Sequence, residues 1–169
     1  RTVCLPTASA AGYVEQGEYG KADTFLLEWY RTHPHDELII IDPYFKPEDL
    51  YLVKELCDCN TKLNINILCH PQQFILDDYL SEWHRIASAV TCSIQMNTVC
   101  YRHNPKDGPL HDRFWVCRQY DEGIFCGLRT NSLTSFGNKE SLISELQLGE
   151  ILPILGSYNK YTLARPNES

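Results

Sequence analysis

The sequence has no long apolar run and no excess of positive charge. No stretch approaches the roughly 18 to 20 consecutive apolar residues that a membrane-spanning helix needs, and the first twenty residues lack the basic start and apolar run of a signal peptide. With 15 basic and 22 acidic residues, the formal net charge is -7. This charge argues against non-specific electrostatic binding to nucleic acid or to an anionic membrane surface, so any phosphate site must be local.

Cysteine spacing typical of a zinc site is also missing, although the chain contains eight cysteines. Cys57 and Cys59 are separated by one residue and not by two, so we expect no metal site. Most of the other cysteines lie in apolar, strand-like runs and are typical of small buried hydrophobes: Cys69, Cys92, Cys100, Cys117 and Cys126. We therefore expect all eight to be reduced and the protein to be cytoplasmic.

The length predicts one domain covering residues 1–169, since 43% of the 169 residues are hydrophobic and can form one continuous core. The chain begins with Arg1 and not with Met. We therefore expect that this domain is excised from a longer intracellular protein and is fused there to other domains.

The first half of the sequence alternates between strand and helix patterns. Helices are predicted at 23–31, from Pro47 onward and at 74–87, and strands at 37–42, 63–69 and 90–95. The run from Leu38 to Ile41 is continuously apolar, which predicts a strand buried on both faces. Such alternation is typical of βαβ units.

In the second half, strand patterns follow one another closely, at 99–102, 113–118, 123–127 and 141–146, and a helix bent or broken at Pro153 is predicted over 148–163. The predicted fold class is therefore α/β. We expect a mixed, largely parallel sheet with helices on both faces and antiparallel hairpin strands in the C-terminal half.

Basic residues are concentrated between residues 101 and 139. This stretch contains six basic and four acidic side chains and has a net charge of +2, whereas the remainder of the chain has -9. A local cationic pocket on an acidic protein fits a phosphoryl group. The alternative interpretation is a solvated hairpin with ordinary surface arginines.

His111 and Arg113 are two positions apart in a predicted strand, so they project from the same face, with Asp112 on the other. One surface then presents an imidazole beside a permanent cation. The imidazole can attack phosphorus while the guanidinium neutralises the charge on the equatorial oxygens. The other possibility is that His111 is a structural strand histidine.

Two segments together resemble the phospholipase D-like superfamily. They are Leu-His-Asp-Arg-Phe-Trp-Val at 110–116 and Gly-Leu-Arg-Thr-Asn-Ser-Leu-Thr-Ser-Phe-Gly-Asn-Lys-Glu at 127–140. The usual signature of that superfamily is H-x-K-x4-D, followed by a G-S-x-N-like turn and an acidic residue. Ile-Ile-Ile-Asp-Pro-Tyr-Phe at 39–45 also looks like its first core strand, so the resemblance covers most of the chain.

The resemblance implies a phospholipase D-like fold and a covalent phosphohistidine route without metal or other cofactor. His111 is then the nucleophile, and Arg113 with Asn131 or Ser132 holds the non-bridging oxygens. Asp121 or Glu140 orients the imidazole or the basic cluster. Glu140 can also belong to the phosphate-binding set. Asn131 and Ser132 are equally ordinary turn formers, and Tyr44 is expected to be a core residue.

The sequence departs from the signature at two positions. Arg113 stands where lysine is usual, which keeps the charge but changes the donor geometry. Arg118 stands where the aspartate is expected. Asp121 takes the role of that aspartate only if the hairpin is three residues longer.

Members of this superfamily normally need two motifs, and the chain has only one. A catalytic form is therefore expected to be a homodimer that brings two copies of His111 together. The resemblance implies a phosphodiesterase, and nucleic acid is preferred to lipid because no amphipathic membrane-docking segment is present. The alternative is a catalytically degenerate module that serves a larger, defence-related protein in dimerisation or in binding phosphate ligands or nucleic acid.

Overall fold

The computed structural model describes residues 11–33, 36–60, 62–69, 76–87, 93–98, 112–119, 124–131 and 135–163. His111, Asp121 and Ser132 lie outside these residues, as does the predicted strand at 99–102.

The described residues form a seven-stranded sheet and four α-helices. The strands are β1 (Ala11–Val14), β2 (Glu37–Ile41), β3 (Asn64–Cys69), β4 (Ser93–Thr98), β5 (Arg113–Gln119), β6 (Ile124–Thr130) and β7 (Ser141–Glu145). The helices are α1 (Lys21–Thr32), α2 (Leu50–Cys59), α3 (Leu76–Ile86) and α4 (Leu148–Leu163), and a 3-10 turn at Pro47–Asp49 leads into α2. The predicted alternation of strand and helix is confirmed over the first half.

The strand order in the sheet is β1-β7-β6-β5-β2-β3-β4. Only the β2–β3 and β3–β4 pairs are parallel, and the other four neighbouring pairs are antiparallel. The sheet is mixed, as predicted, but the expectation that it is largely parallel is wrong. The reason is that β5 pairs antiparallel with β2, so the C-terminal hairpin strands continue the sheet from its centre outward.

Helices cover both faces of the sheet, as predicted. Alternate residues of β2 point to opposite sides: Leu38 and Ile40 belong to the core shared with α1, α2 and α3, whereas Ile39 and Ile41 belong to the core beneath α4. All five residues of β2 are buried, which confirms the interpretation of its continuous apolar run.

Helix α4 packs closely over β6. A Cβ at Gly127 would lie 3.1 Å from the Trp115 carbonyl oxygen and 3.2 Å from Leu146. Because glycine has no side chain, β6 can lie this close to the residues that pack against it. The predicted helix over 148–163 is confirmed, and it continues through Pro153 without the break that was one of the two predicted outcomes there. Gly149, four residues earlier, is exposed, so water can reach the carbonyl that loses its helical partner.

Two strands, β1 and β6, differ most from the sequence prediction. The sequence pattern did not predict β1, a four-residue edge strand containing Gly12 that pairs with β7. Strand β6 ends at Thr130, three residues later than predicted, and the described part of β4 is Ser93–Thr98. Within the described part of the chain, no helix is long and apolar enough to cross a membrane.

One edge of the sheet gathers the residues of interest. Strands β2 and β3 end at this edge, and β5, which is antiparallel to β2, begins there with Arg113. Strand β6 ends there, because Thr130 pairs with Arg113. We call this edge the arginine edge. Ligands of open α/β sheets commonly bind outside the carboxyl ends of parallel strands, which places this edge first among candidate sites.

Candidate functional site

Arg113 lies at the start of β5 and is held from two sides. Its Nε is 3.8 Å from Oδ1 of Asp42, and its guanidinium carbon lies 4.7 Å above the centre of the Tyr44 ring. The side chain is 22% exposed. A carboxylate on one side and an aromatic face on the other fix the direction of the cation at the edge of the sheet.

The Nε of Arg113 is buried and has no hydrogen-bond partner within the described part of the chain. At 3.8 Å, Asp42 stabilises the guanidinium by charge but is too distant for a hydrogen bond. An unsatisfied buried donor is costly, and a donor on a cation more so. Arg113 is therefore suited to a ligand that brings an anionic oxygen to this edge.

Asp42 faces Arg113 and also fixes the position of Tyr44. It directly follows β2, its side chain is only 3% exposed, and its Oδ1 accepts a hydrogen bond of 2.9 Å from the amide of Tyr44. An aspartate that bonds the amide two residues on is a common turn former. The same carboxylate that faces Arg113 therefore also sets the position of the Tyr44 ring.

Tyr44 is 46% exposed, so the expectation that it is a core residue is wrong. Its neighbour Pro43 is buried instead. The turn at Asp42 directs the ring out of the core and under the guanidinium of Arg113. The available signal was an aspartate followed by Pro-Tyr directly after a fully buried strand, at the strand end where ligands bind in open α/β sheets.

The loop from Asp42 to Asp49 is anchored on its inner side. The buried hydroxyl of Tyr79, from α3, donates a hydrogen bond to the carbonyl of Phe45. An oxygen of Asp49 accepts a hydrogen bond of 2.8 Å from the amide of Lys46. These contacts restrain the loop that presents Asp42 and Tyr44.

Three titratable groups near this loop have pKa values raised by burial. Burial raises the pKa of Asp49 to about 7, although the amide of Lys46 partly offsets this. It raises the pKa of the Cys69 thiol to about 11, and it also raises the pKa of Tyr79. Cys69 and Tyr79 therefore remain protonated at neutral pH, while Asp49 is poised between its two forms.

The other predicted site residues occupy different positions along the edge. Asn131 is half-buried and directly follows β6, next to Thr130, which pairs with Arg113. Glu140 directly precedes β7 and hydrogen-bonds Tyr13 of β1, which raises the pKa of that tyrosine. Since β6 lies between β5 and β7, Glu140 is two strands away from Arg113.

Asp112 and Arg118 lie apart from the cation at the edge. Asp112 is exposed and its carboxylate is 3.7 Å from Arg129, a residue paired with Phe114 on the face opposite to Arg113. Arg118 binds the buried Glu37, with Nε 2.8 Å from its carboxylate. Position 118 is five residues from Arg113 and therefore about 16 Å away along the strand. Arg118 thus has a structural role as the partner of Glu37.

An acidic cavity of about 250 Å³ lies at the other end of the same loop, where Glu48 and Asp49 line it. Among the described residues, its lining contains three carboxylates and no basic side chain: Tyr19, Asp23, Glu48, Asp49, Tyr51, Leu52, Phe136 and Asn138. Such a lining repels phosphate. Arg113 does not line it, so the cavity and the arginine edge are separate sites.

No family model matches the chain, and no curated protein matches it. Among solved structures, polyphosphate kinase from Porphyromonas gingivalis is similar, with a TM-score of 0.53 and 9% sequence identity over 95% of this chain and 24% of that one. The chain thus spans about a quarter of the length of that protein. This likeness shows the fold alone: the chain has a mixed α/β fold similar to that of the matching part of the polyphosphate kinase, within the α/β class that the sequence predicted.

Proposed function

We propose that the chain is a phosphodiesterase of the phospholipase D-like kind that cleaves nucleic acid through a covalent phosphohistidine at His111. The observation that carries the proposal is the arrangement at the arginine edge, where Asp42 and Tyr44 hold a cation whose buried Nε has no hydrogen-bond partner among the described residues. The likeness of the fold to a polyphosphate kinase, an enzyme of phosphoryl transfer by its name, also supports chemistry at phosphorus.

The proposed reaction has two steps. The imidazole of His111 attacks phosphorus, and the bond to the leaving oxygen breaks while a second imidazole donates a proton to that oxygen. Water then attacks the phosphohistidine, releases His111 and gives its proton to the second imidazole. Arg113 and Asn131, with Ser132, hold the non-bridging oxygens through both steps.

Asp42 adds an acidic partner that the sequence motif does not contain. The signature places an aspartate at position 118, where this chain has Arg118, and Asp121 is the candidate to replace it. Asp42 faces the cation directly, so we assign it the role of orienting Arg113. Asp121 and Glu140 remain candidates for orienting His111.

The second imidazole is proposed to come from another copy of the chain. One copy supplies one motif, and a twofold axis near the arginine edge brings two copies of His111 to one phosphate. Light scattering at micromolar concentration should therefore detect a dimer of the 19.5 kDa chain. A single monomeric species would contradict the dimeric site.

Cleavage of a single-stranded oligonucleotide in the presence of a chelator tests the proposal. We expect cleavage to continue, because Arg113 supplies positive charge at the phosphate, and to be abolished by His111→Ala. The matched control is His84→Ala, since His84 is an exposed histidine of α3. Cleavage that stops in chelator, or that survives His111→Ala, would contradict the mechanism.

The alternative function is a binding module that has lost turnover. The engagement of Arg118 with the buried Glu37 favours it, because the position expected to carry the motif aspartate is committed to the structure. On this alternative no phosphodiester is cleaved, but a phosphate-bearing ligand still binds and Arg113→Ala removes that binding. The oligonucleotide experiment, read for both binding and cleavage, distinguishes the two functions.

A further inference from the structure

Two cysteines face each other across the β5–β6 hairpin. Cys117 and Cys126 are direct partners in the antiparallel register, on the face that also carries the Trp115–Leu128 pair. Cys117 is buried and Cys126 is half-buried, and both are free. Each thiol is therefore presented to the other by the strand pairing itself.

The register satisfies the geometry of a disulfide. Directly opposed residues of antiparallel strands have Cα atoms about 4.5 to 5.5 Å apart, and disulfides form at about 4.4 to 6.8 Å. The two thiols are already in hydrogen-bond contact with each other. Little backbone movement is therefore needed to bond the two sulfurs.

The two thiols differ in their environment. Cys126 is the more accessible, and the hydrogen bond from Cys117 lowers its pKa, although Glu145 and partial burial oppose this. Burial raises the pKa of Cys117. Because the thiolate is the nucleophile of cysteine chemistry, Cys126 is the thiol that reacts first and Cys117 is the one that resolves the product.

We propose that Cys117 and Cys126 form a reversible intramolecular disulfide when the protein reacts with hydrogen peroxide. The sulfur of Cys126 attacks the peroxide, the O–O bond breaks, and a sulfenic acid and one water form. The sulfur of Cys117 then attacks that of Cys126, the S–O bond breaks, and a second water leaves. Two thiols lose two electrons and two protons, and the peroxide is reduced to two waters.

The chain offers a selective way to detect this bond. Arginines at positions 113, 118 and 129 place the two cysteines in separate tryptic peptides, residues 114–118 and 119–129, each with one cysteine. After treatment with hydrogen peroxide, we expect these peptides to be linked, the mass to fall by two hydrogens, and two of the eight thiols to become unreactive. Dithiothreitol should restore all eight.

The controls use serine substitutions. Cys117→Ser and Cys126→Ser should each abolish the linked peptide, while Cys59→Ser should leave it unchanged, since Cys59 is an exposed thiol of α2. Oxidation of Cys126 to a sulfinic acid with no linked peptide, or its linkage to any other cysteine, would overturn the proposal. If either hairpin variant fails to fold, the peptide map of the unmodified sequence still decides the question.

Discussion

The arginine edge and the acidic cavity share one loop but have opposite chemistry. At one end of the loop, the carboxylate of Asp42 faces a cation. At the other end, Asp49 lines a cavity with no basic side chain among its described residues, and burial raises the pKa of Asp49 to about 7. Burial is the largest cause of this raised pKa, and the attraction of Lys46 only partly offsets it. Of these two regions, the arginine edge is the one whose charge suits the proposed phosphate site.

Of the substitutions at these two regions, removal of the Arg113 cation should have the largest effect on oligonucleotide binding. Arg113→Ala is expected to weaken binding of an oligonucleotide about 100-fold, since hydrogen bonds from a charged donor to phosphate are lost. Fluorescence anisotropy with a labelled oligonucleotide measures this. Arg129→Ala is the matched control, because Arg129 is an exposed arginine on the neighbouring strand that faces away from Arg113. Equal losses in both variants would mean that binding depends on overall charge alone.

Asp42→Asn tests the charged end of the loop. Asparagine can still accept the amide of Tyr44, so the substitution isolates the charge opposite Arg113. We expect the free energy of unfolding to fall by about 3 kcal/mol, because one charge of a largely buried pair is left without its partner. Urea denaturation measures this. Asp112→Asn is the control, because it removes only the exposed ion pair with Arg129. Its free energy of unfolding should differ from that of the parent by no more than about 0.5 kcal/mol. Similar losses in the two variants would contradict the account of Asp42.

Asp49→Asn tests the end of the loop that lines the cavity, through the pH dependence of the free energy of unfolding. The pKa of Asp49 is raised from 3.8 to about 7 on folding, so the folded state holds a proton that the unfolded state has released between those values. Stability from this group is fully present below pH 4 and is lost as the pH rises through 7. Asparagine does not ionise, so the free energy of unfolding of the variant, relative to that of the parent, should rise by about 4 kcal/mol from pH 4 to pH 8.

Denaturation curves at several pH values measure this difference. Glu48→Gln is the control, since it removes an exposed carboxylate from the same cavity lining. A difference between Asp49→Asn and the parent that is constant with pH, or that grows toward pH 4, would contradict the burial of Asp49 as the cause.

Tyr44→Leu should produce the smallest effect. The substitution keeps an apolar side chain under the guanidinium but removes the aromatic face, which lies 4.7 Å from the guanidinium carbon. Oligonucleotide binding should weaken about 2- to 5-fold, in line with a partly exposed cation–π contact. Tyr51→Leu, an exposed tyrosine of the cavity lining, should leave binding unchanged. An effect at Tyr51 equal to that at Tyr44 would remove the distinction between the two regions.

The sequence predicted the elements of the fold better than their pairing. The continuous apolar run from Leu38 to Ile41 identified β2, and the helical periodicities identified the helices. This works because the local spacing of apolar residues depends on whether one face or both faces of an element are buried. The order of the strands is a tertiary property. The antiparallel pairing of β5 with β2 depends on contacts between residues nearly 80 positions apart, and no local period encodes it.

The candidate site shows the same division. Arg113 was predicted from its two-residue spacing to His111 and from the resemblance of its segment. Asp42 and Tyr44 were not, because their roles arise only when β5 lies beside β2 and brings the cation over the loop. The structural role of Arg118 likewise depends on Glu37, its partner across the same pair of strands.

The most direct test of the central claim is a titration with inorganic phosphate followed by ¹⁵N–¹H spectra of the arginine Nε–H groups. The Nε of Arg113 is buried without a hydrogen-bond partner in the described chain, whereas those of Arg85 and Arg118 donate to Glu82 and Glu37. We predict a saturable shift of the Arg113 signal while the signals of Arg85 and Arg118 stay in place. Saturable shifts of the other arginines with an unchanged Arg113 signal would contradict the assignment of the phosphate site to the arginine edge.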